Sequence, residues 1–282
     1  MRQAVVAGQF YEGEEEQLRE QVRNCFLDKR GPGSLPTGKT NELIRGAIVP
    51  HAGLEFSGAC AAHVYHALIE GQQPDVYVIL GPNHTGMGRS SVLLDDFQTP
   101  MGIAKVDKEF GEALLDNTQH LNDNPSVHAL EHSIEVQLPF LQFSNKEFRF
   151  VPIVISTAAY IEEIAEGIRK AAKQLNRRVC VIASSDFTHY GMSYGYMPFT
   201  ERIRDNIEKL DMAAVEFITR FDAAGLHSLI RRTGATICGY LPIMTLLKTL
   251  EKGEGKQLCY YTSGDVTGDN TTSVSYVGMT FS

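Results

Sequence analysis

Val76-Tyr-Val-Ile-Leu80, followed at once by Gly81-Pro-Asn-His84-Thr-Gly86, decides the fold. Five apolar residues, mostly β-branched or aromatic, read as a fully buried strand, and Gly81 and Pro82 stop it at a histidine. The same grammar recurs twice. Ile44-Arg-Gly-Ala-Ile-Val49 runs into Pro50-His51-Ala-Gly53, and Arg178-Val-Cys-Val-Ile-Ala-Ser184 runs into Ser185-Asp186-Phe-Thr-His189-Tyr-Gly191. Ligands of open α/β sheets bind just beyond the carboxyl ends of the strands, so three strands ending in histidine loops place chemistry there.

Working outward, amphipathic helices are expected over 12–28, 57–70, 106–117, 160–175, 201–219, 222–232 and 239–251. A further helix is expected from Glu131. Buried strands are expected over 92–97, 148–155, 258–263 and 273–281. Strands alternating with helices imply a mainly parallel or mixed central sheet with helices on both faces. No linker, repeat or low-complexity run divides residues 1–282, so one α/β domain is expected.

The chain has 282 residues, 43% of them hydrophobic and 21% charged, with a net charge of -8. No apolar run reaches the roughly 18 residues of a membrane span. The first residues lack a long apolar leader segment, so a cytoplasmic location is expected. An acidic chain without a Lys/Arg cluster is a poor partner for nucleic acid, whose phosphates must be neutralised. Cys25, Cys60, Cys180, Cys238 and Cys259 are widely spaced, which argues against a disulfide framework or a structural zinc knuckle.

Several local patterns compete for attention. Gly33-Ser-Leu-Pro-Thr-Gly38-Lys39-Thr40 matches a phosphate-binding loop, but that motif must leave a strand and open a helix. Here a helix precedes and a strand follows, and Pro36 removes an amide donor. His63 and His66, three apart among Ala, Val and Leu, are read as packing or solvent contacts rather than ligands. His120 and His128, in polar turn-rich sequence, are read as exposed. Ser184 or Ser185 with Asp186 and His189 offers a hydrolase reading, yet no nucleophile elbow is present.

The loops bearing His51, His84 and Asp186–His189 would converge on one sheet edge. Imidazole is the commonest metal ligand. Cys238 adds a third donor, because it precedes an apolar helix whose dipole favours a thiolate. Two histidines and one anionic side chain follow the logic of non-haem iron sites, with sulfur replacing carboxylate. On spacing alone, structural roles for these histidines stay open beside ligation.

Short motifs along nearly the whole chain carry a resemblance. They are Ala7-Gly-Gln-Phe-Tyr11, Pro50-His-Ala-Gly53 with Ser57-Gly58, Leu80-Gly-Pro-Asn-His84, Thr99-Pro100, Glu131-His-Ser-Ile-Glu-Val-Gln-Leu-Pro139, Ser184-Ser-Asp-Phe-Thr-His189, Ile237-Cys-Gly239 and Ser273-Val-Ser-Tyr276. In these the sequence resembles the MEMO family in its prokaryotic form. Leu54 departs from the aromatic usual there, which bears on the pocket wall.

The resemblance implies a fold similar to class III extradiol dioxygenases. It implies His51 and His84 as metal ligands, Cys238 in the place of the dioxygenases' glutamate, His189 as the acid–base group and Asp186 beside the metal. Fe(II) is the implied ion, with copper or zinc as alternatives. Asn83, His132 and Glu135 are expected in the pocket, the last two from one helix face. Two functions stand side by side: a metal-dependent redox protein, and a binding module for a small molecule or phosphopeptide. Ring-cleaving dioxygenase activity is a third. A homo-oligomer stays open.

Overall fold

The computed structural model describes every residue except Lys39 and Lys146. Helix α1 (Glu15–Leu27) buries Leu18, Val22, Cys25 and Phe26, the stripe that the 3.6-residue period dictates. Strand β1 (Gly46–Val49), helix α2 (Leu54–Glu70) and strand β2 (Val76–Pro82) follow. Next come β3 (Ser91–Val92), the hairpin β4 (Phe97–Thr99) and β5 (Gly102–Val106), helix α3 (Lys108–Asp116) and β6 (Asn122–Asp123). Two short helices, α4 (Pro125–His128) and α5 (Leu138–Ser144), lead to β7 (Arg149–Ile155). Helix α6 (Ile161–Gln174), β8 (Val179–Ser184) and β9 (His189–Tyr190) complete the centre. The chain closes through α7 (Ile203–Thr219), α8 (Ala223–Thr233), α9 (Tyr240–Leu250), β10 (Gly255–Thr262), α10 (Ser263–Thr267) and β11 (Ser273–Phe281).

The main sheet is ordered β10-β11-β1-β8-β2-β7-β3-β6. Strands β1, β8, β2 and β7 are parallel, while β11 runs antiparallel to both β1 and β10. The sheet is therefore mixed, with a parallel centre. Each central strand feeds two cores because successive side chains point to opposite faces. Along β2, Val76, Val78 and Leu80 enter a core shared with α6, α7 and α9. Tyr77 and Ile79 enter the other, shared with α1, α2 and α5.

Three element readings change. The strand expected over 92–97 is two short pieces, β3 and β4, with a bend between them. The helix expected from 106 starts at Lys108, because residues 102–106 form β5 and Asp107 caps the helix by accepting from the Phe110 amide (3.0 Å). Around 131–137 the chain makes turns and a single 3-10 turn (Glu135–Gln137) before α5 begins at Leu138. Pro139 explains the late start, since it fits a first helical turn and disrupts an interior.

The loop over 33–38 and Thr40 forms no helix and folds back on the end of α2, where the Thr37 hydroxyl donates to Glu70 (3.0 Å); Lys39 lies outside the described residues. Among the described residues, no helix is long and apolar enough to cross a membrane.

Candidate metal centre

Strands β1, β8 and β2 are neighbours, and Val49 pairs with Ser184 while Leu80 pairs with Ala183. Adjacent strands lie about 4.8 Å apart. The register therefore aligns the three carboxyl ends, and the loops after them meet. Cys238 joins them from the segment before α9. Gly239 is what lets that segment approach: a Cβ there would lie 2.4 Å from Cβ of Ser185 and 2.5 Å from the Ser184 carbonyl. Gly81 serves β2 similarly, since a Cβ would strike Ser133 Oγ at 2.4 Å.

The donor atoms of His51, His84 and Cys238 lie within 4.8 Å of one another. The same holds for Asp186, His189 and Cys238, and for His84, Glu131 and His132. His51 Nε2 is 3.2 Å from Cys238 Sγ. The rings of His51 and His84 are perpendicular, with centroids 5.1 Å apart, and His132 stacks on His84 at 4.5 Å. Phe10 meets His132 edge-on at 4.8 Å.

The hydrogen bonds fix which nitrogen of each ring faces the centre. Ser184 Oγ has one proton, and it goes to the Ser133 carbonyl (2.7 Å). Ser184 also accepts from Gln137 Nε2 (2.8 Å), so the 2.9 Å contact with His51 Nδ1 must be donated by the ring. That leaves the His51 Nε2 lone pair pointing at the sulfur. His84 Nδ1 donates to Glu131 Oε1 (2.9 Å), an acceptor-only carboxylate, which frees its Nε2 in turn. His189 Nδ1 donates to the carbonyls of Phe187 (2.9 Å) and Thr236 (3.0 Å), again freeing Nε2. Three imidazoles thus present lone pairs, each with its other nitrogen tied down, which is how metal-ligating histidines are held.

The electrostatics agree. Burial, then the neighbouring His84 and His132, hold His51 well below the usual imidazole range. His132 is lowered to about 4 by burial and by His84. Burial pushes the Glu131 carboxyl up, but bonds from the His84 ring and from the amides of Ser133 and His84 outweigh it and hold it at about 2. Burial raises Asp186, against His189 and the amides of His51 (2.8 Å) and Ala52 (3.2 Å) that bond its Oδ1.

Cys238 departs from expectation. Burial and then the Asp186 carboxylate push its thiol well above the ordinary range. Helix α9 begins at Tyr240 with Gly239 as its N-cap, directly after Cys238, yet its dipole does not outweigh burial and that carboxylate. With His51 Nε2 unprotonated, the thiol donates to that nitrogen at 3.2 Å, and the Asp186 carbonyl lies 3.6 Å from the sulfur.

The remaining residues divide. Asn83 shapes the His84 loop by donating to Met87 O (2.9 Å) and Ser156 Oγ (2.8 Å). His132 stands in the centre, but Glu135 turns away: its fully buried carboxylate pairs with Arg2 and takes the Tyr11 hydroxyl (2.5 Å) and the amides of Val5 and Val6. It ties down the N-terminal segment that brings Phe10 to His132. His63 and His66 reach Arg30 O (3.0 Å) and Ser34 Oγ (3.3 Å) rather than each other. His120 is half-buried against Glu163, whereas His128 is buried, with Nε2 bonded to Ser91 O (3.0 Å). Ser184 and Ser185 are fully buried, and both hydroxyls donate to carbonyls, so no serine nucleophile faces His189. Glu131, Gln137 and Thr236 are supporting residues that spacing left unassigned, and Ser184, a nucleophile in the hydrolase reading, is instead a support of His51.

The profile of the family described as "Memo-like protein" matches residues 2–280. The chain belongs to this family. It is 40% identical over 291 residues to a MEMO1 family protein of Methanopyrus kandleri, covering 99% of this chain and 98% of that one. A MEMO1 family protein of Sulfurisphaera tokodaii is 39% identical, covering 100% of this chain and 99% of its own length. Among solved structures, an uncharacterized protein from Escherichia coli K12 superposes with a TM-score of 0.54 at 11% identity, covering 85% of this chain and 100% of that one. That likeness shows a shared fold.

Proposed function

We propose that the chain is a metal-dependent redox protein whose centre holds Fe(II) or copper, with zinc as the non-redox competitor. His51, His84 and Cys238 are the ligands. The observation that carries this reading is the set of orientations: two Nε2 lone pairs and one sulfur converge within 4.8 Å, each imidazole fixed through its other nitrogen. Ligand histidines must be neutral, and His51 is held towards that form. Such an ion, when bound, supplies one-electron chemistry and polarises a substrate oxygen.

The chain's own groups do the rest. His189 takes a proton at Nε2 while its Nδ1 proton stays with Phe187 and Thr236. Asp186 anchors the amides of 51 and 52, fixing the loop that carries His51. Beside the centre lies a cavity of about 280 Å³ bordered by Ala52, Phe56, Tyr194, Thr272, Val274 and Tyr276. Its wall offers aromatic faces and hydroxyls. The Tyr194 ring lies 5.1 Å from that of His189, which places a bound aromatic or hydroxylic molecule next to the proton acceptor.

A phosphate-binding role finds less support. The residues lining this cavity include no Lys or Arg, and the carboxylates of Glu131 and Asp186 stand beside the donor cluster. The test is metal content after anaerobic loading with Fe(II) or Cu(I). One ion per chain is expected. It is lost when His51, His84 or Cys238 becomes Ala and kept when His63 or His66 does. Wild-type affinity in the triple 51/84/238 variant overturns the assignment.

A further inference from the structure

Away from this centre, the packing of α2 against the β10–β11 ribbon brings together Cys60, Cys259 and His63. Cys259 faces Gly278 across the ribbon, and the Cys60 sulfur lies 3.4 Å from where a Cβ on Gly278 would stand. Glycine at 278 leaves room for the two thiols to meet. Cys60 and Cys259 share one small cluster with Tyr261 and Tyr276, and the Tyr261 hydroxyl accepts from the Cys60 amide (3.2 Å). Cys60 and His63 stand three residues apart on α2, and the electrostatics of each is tied to Cys259. His63 Nε2 donates to Arg30 O (3.0 Å), and Cys259 Sγ lies 4.0 Å from the same oxygen.

Exposure separates the thiols. Cys60 is fully buried, while Cys259 is half-buried. The electrostatics point the same way: the Cys60 thiol, and then His63, hold Cys259 below the ordinary thiol range, while burial and Cys259 push Cys60 up. His63 is raised by the same contact, as expected of an imidazole beside a thiolate. Buried Cys180 and Cys25, by contrast, are pushed up to about 12 by burial. A half-buried thiolate beside an imidazole, with a second thiol against it, is the arrangement of a redox-sensing cysteine and its resolving partner.

We propose that Cys259 and Cys60 form a peroxide-responsive thiol pair, separate from the metal centre, that closes to a disulfide joining α2 to β10. The Cys259 thiolate attacks one oxygen of hydrogen peroxide. The O–O bond breaks, an S–O bond forms, and the departing hydroxide takes a proton from His63 and leaves as water. The Cys60 sulfur then attacks the sulfenic sulfur, and the S–O bond breaks as the S–S bond forms. The thiol proton leaves with the hydroxyl as a second water. Two thiols lose two electrons in all, and one peroxide gains them.

The test treats purified full-length protein with one equivalent of hydrogen peroxide, blocks free thiols with N-ethylmaleimide, and maps peptides by mass spectrometry. A 60–259 disulfide is expected before Cys25, Cys180 or Cys238 is modified. Cys60→Ser should leave a sulfenic acid on Cys259 that dimedone traps. In untreated protein at pH 7, Cys259 should be alkylated at least about tenfold faster than Cys25 or Cys180, a readout that needs no variant. His63→Gln should reduce that advantage. Oxidation falling first on Cys238, or Cys259 alkylated no faster than the buried thiols, overturns the proposal. Because metal loading is read separately, loss of either result leaves the other standing.

Discussion

Glu131→Gln is a one-atom change that tests how the centre holds His84. The carboxylate accepts three bonds: from the His84 ring (2.9 Å), the His84 amide (2.7 Å) and the Ser133 amide (2.9 Å). Glutamine keeps the shape but offers a single acceptor oxygen. If that oxygen faces the ring and Ser133, the amide group points at the His84 N–H, donor against donor. If it faces the backbone of His84, the amide group meets Nδ1. The ring must then carry its proton on Nε2, which removes the lone pair from the centre.

Either arrangement weakens the site. Loss of such a supporting partner costs about 10- to 100-fold in metal affinity, or about 1.4–2.8 kcal/mol. The assay is competition against a coloured Fe(II) or Zn(II) chelator, with thermal unfolding of chelator-treated protein alongside. Affinity within about twofold of wild type, in a variant that is otherwise folded, would refute the claim that Glu131 sets the tautomer of His84.

Asp211 makes a separate prediction about pH. It is fully buried, accepting from the hydroxyls of Thr188 (2.6 Å) and Tyr260 (3.0 Å), and burial pushes it up to about 6 against those bonds. A carboxyl with a raised folded pKa contributes stability below its unfolded value that is lost as pH rises through the folded one. Between pH 4 and 6 the chain should therefore lose about 3 kcal/mol, and Asp211→Asn should unfold about 5 °C higher than wild type at pH 7.5 but not at pH 4. Equal melting temperatures at pH 7.5 would contradict this. Iron-loaded protein should not open catechol rings at about 1 per second or faster, because thiolate is softer than the carboxylate of ring-cleaving sites. Fast oxygen uptake that vanishes in His189→Ala would make the protein a dioxygenase. Arg2→Ala, which leaves the buried Glu135 carboxylate without its cation, should destabilise by about 3–5 kcal/mol; a melting curve unchanged from wild type would count against the pairing.

What the sequence made legible was whatever period and position alone determine. Residues 76–80, 44–49 and 178–184 are apolar without interruption, so they had to be interior strands, and His51, His84 and His189 had to lie at one edge. The partners of those histidines were not legible in that way. Glu131 reaches His84 across 47 residues, and Ser184 meets His51 across 133. Neither distance leaves a periodic signal. The charge of Cys238 was not legible for a related reason: a helix dipole is a local property, but the burial and the Asp186 carboxylate that outweigh it arrive through the fold. His128 and Glu135 belong to the same class. Each meets Arg2, a residue more than a hundred positions away that donates to the His128 carbonyl (2.9 Å) and pairs with Glu135.

The charge balance of the centre then bears on the choice of ligand. His51 and His132 are held towards the neutral state, Glu131 is held ionised, and Cys238 is held as a thiol. Placing an anion here would add negative charge beside Glu131 and Asp186. A divalent cation does the reverse. It replaces the Cys238 proton, because a coordinating thiol is deprotonated outright, and it draws on lone pairs that are already aimed. The raised thiol therefore argues for competition between proton and metal at one sulfur, with affinity that rises with pH as the proton is released. On the proposed reading a phosphorylated ligand would depend on a metal already in place, with proton and cation competing for the Cys238 sulfur.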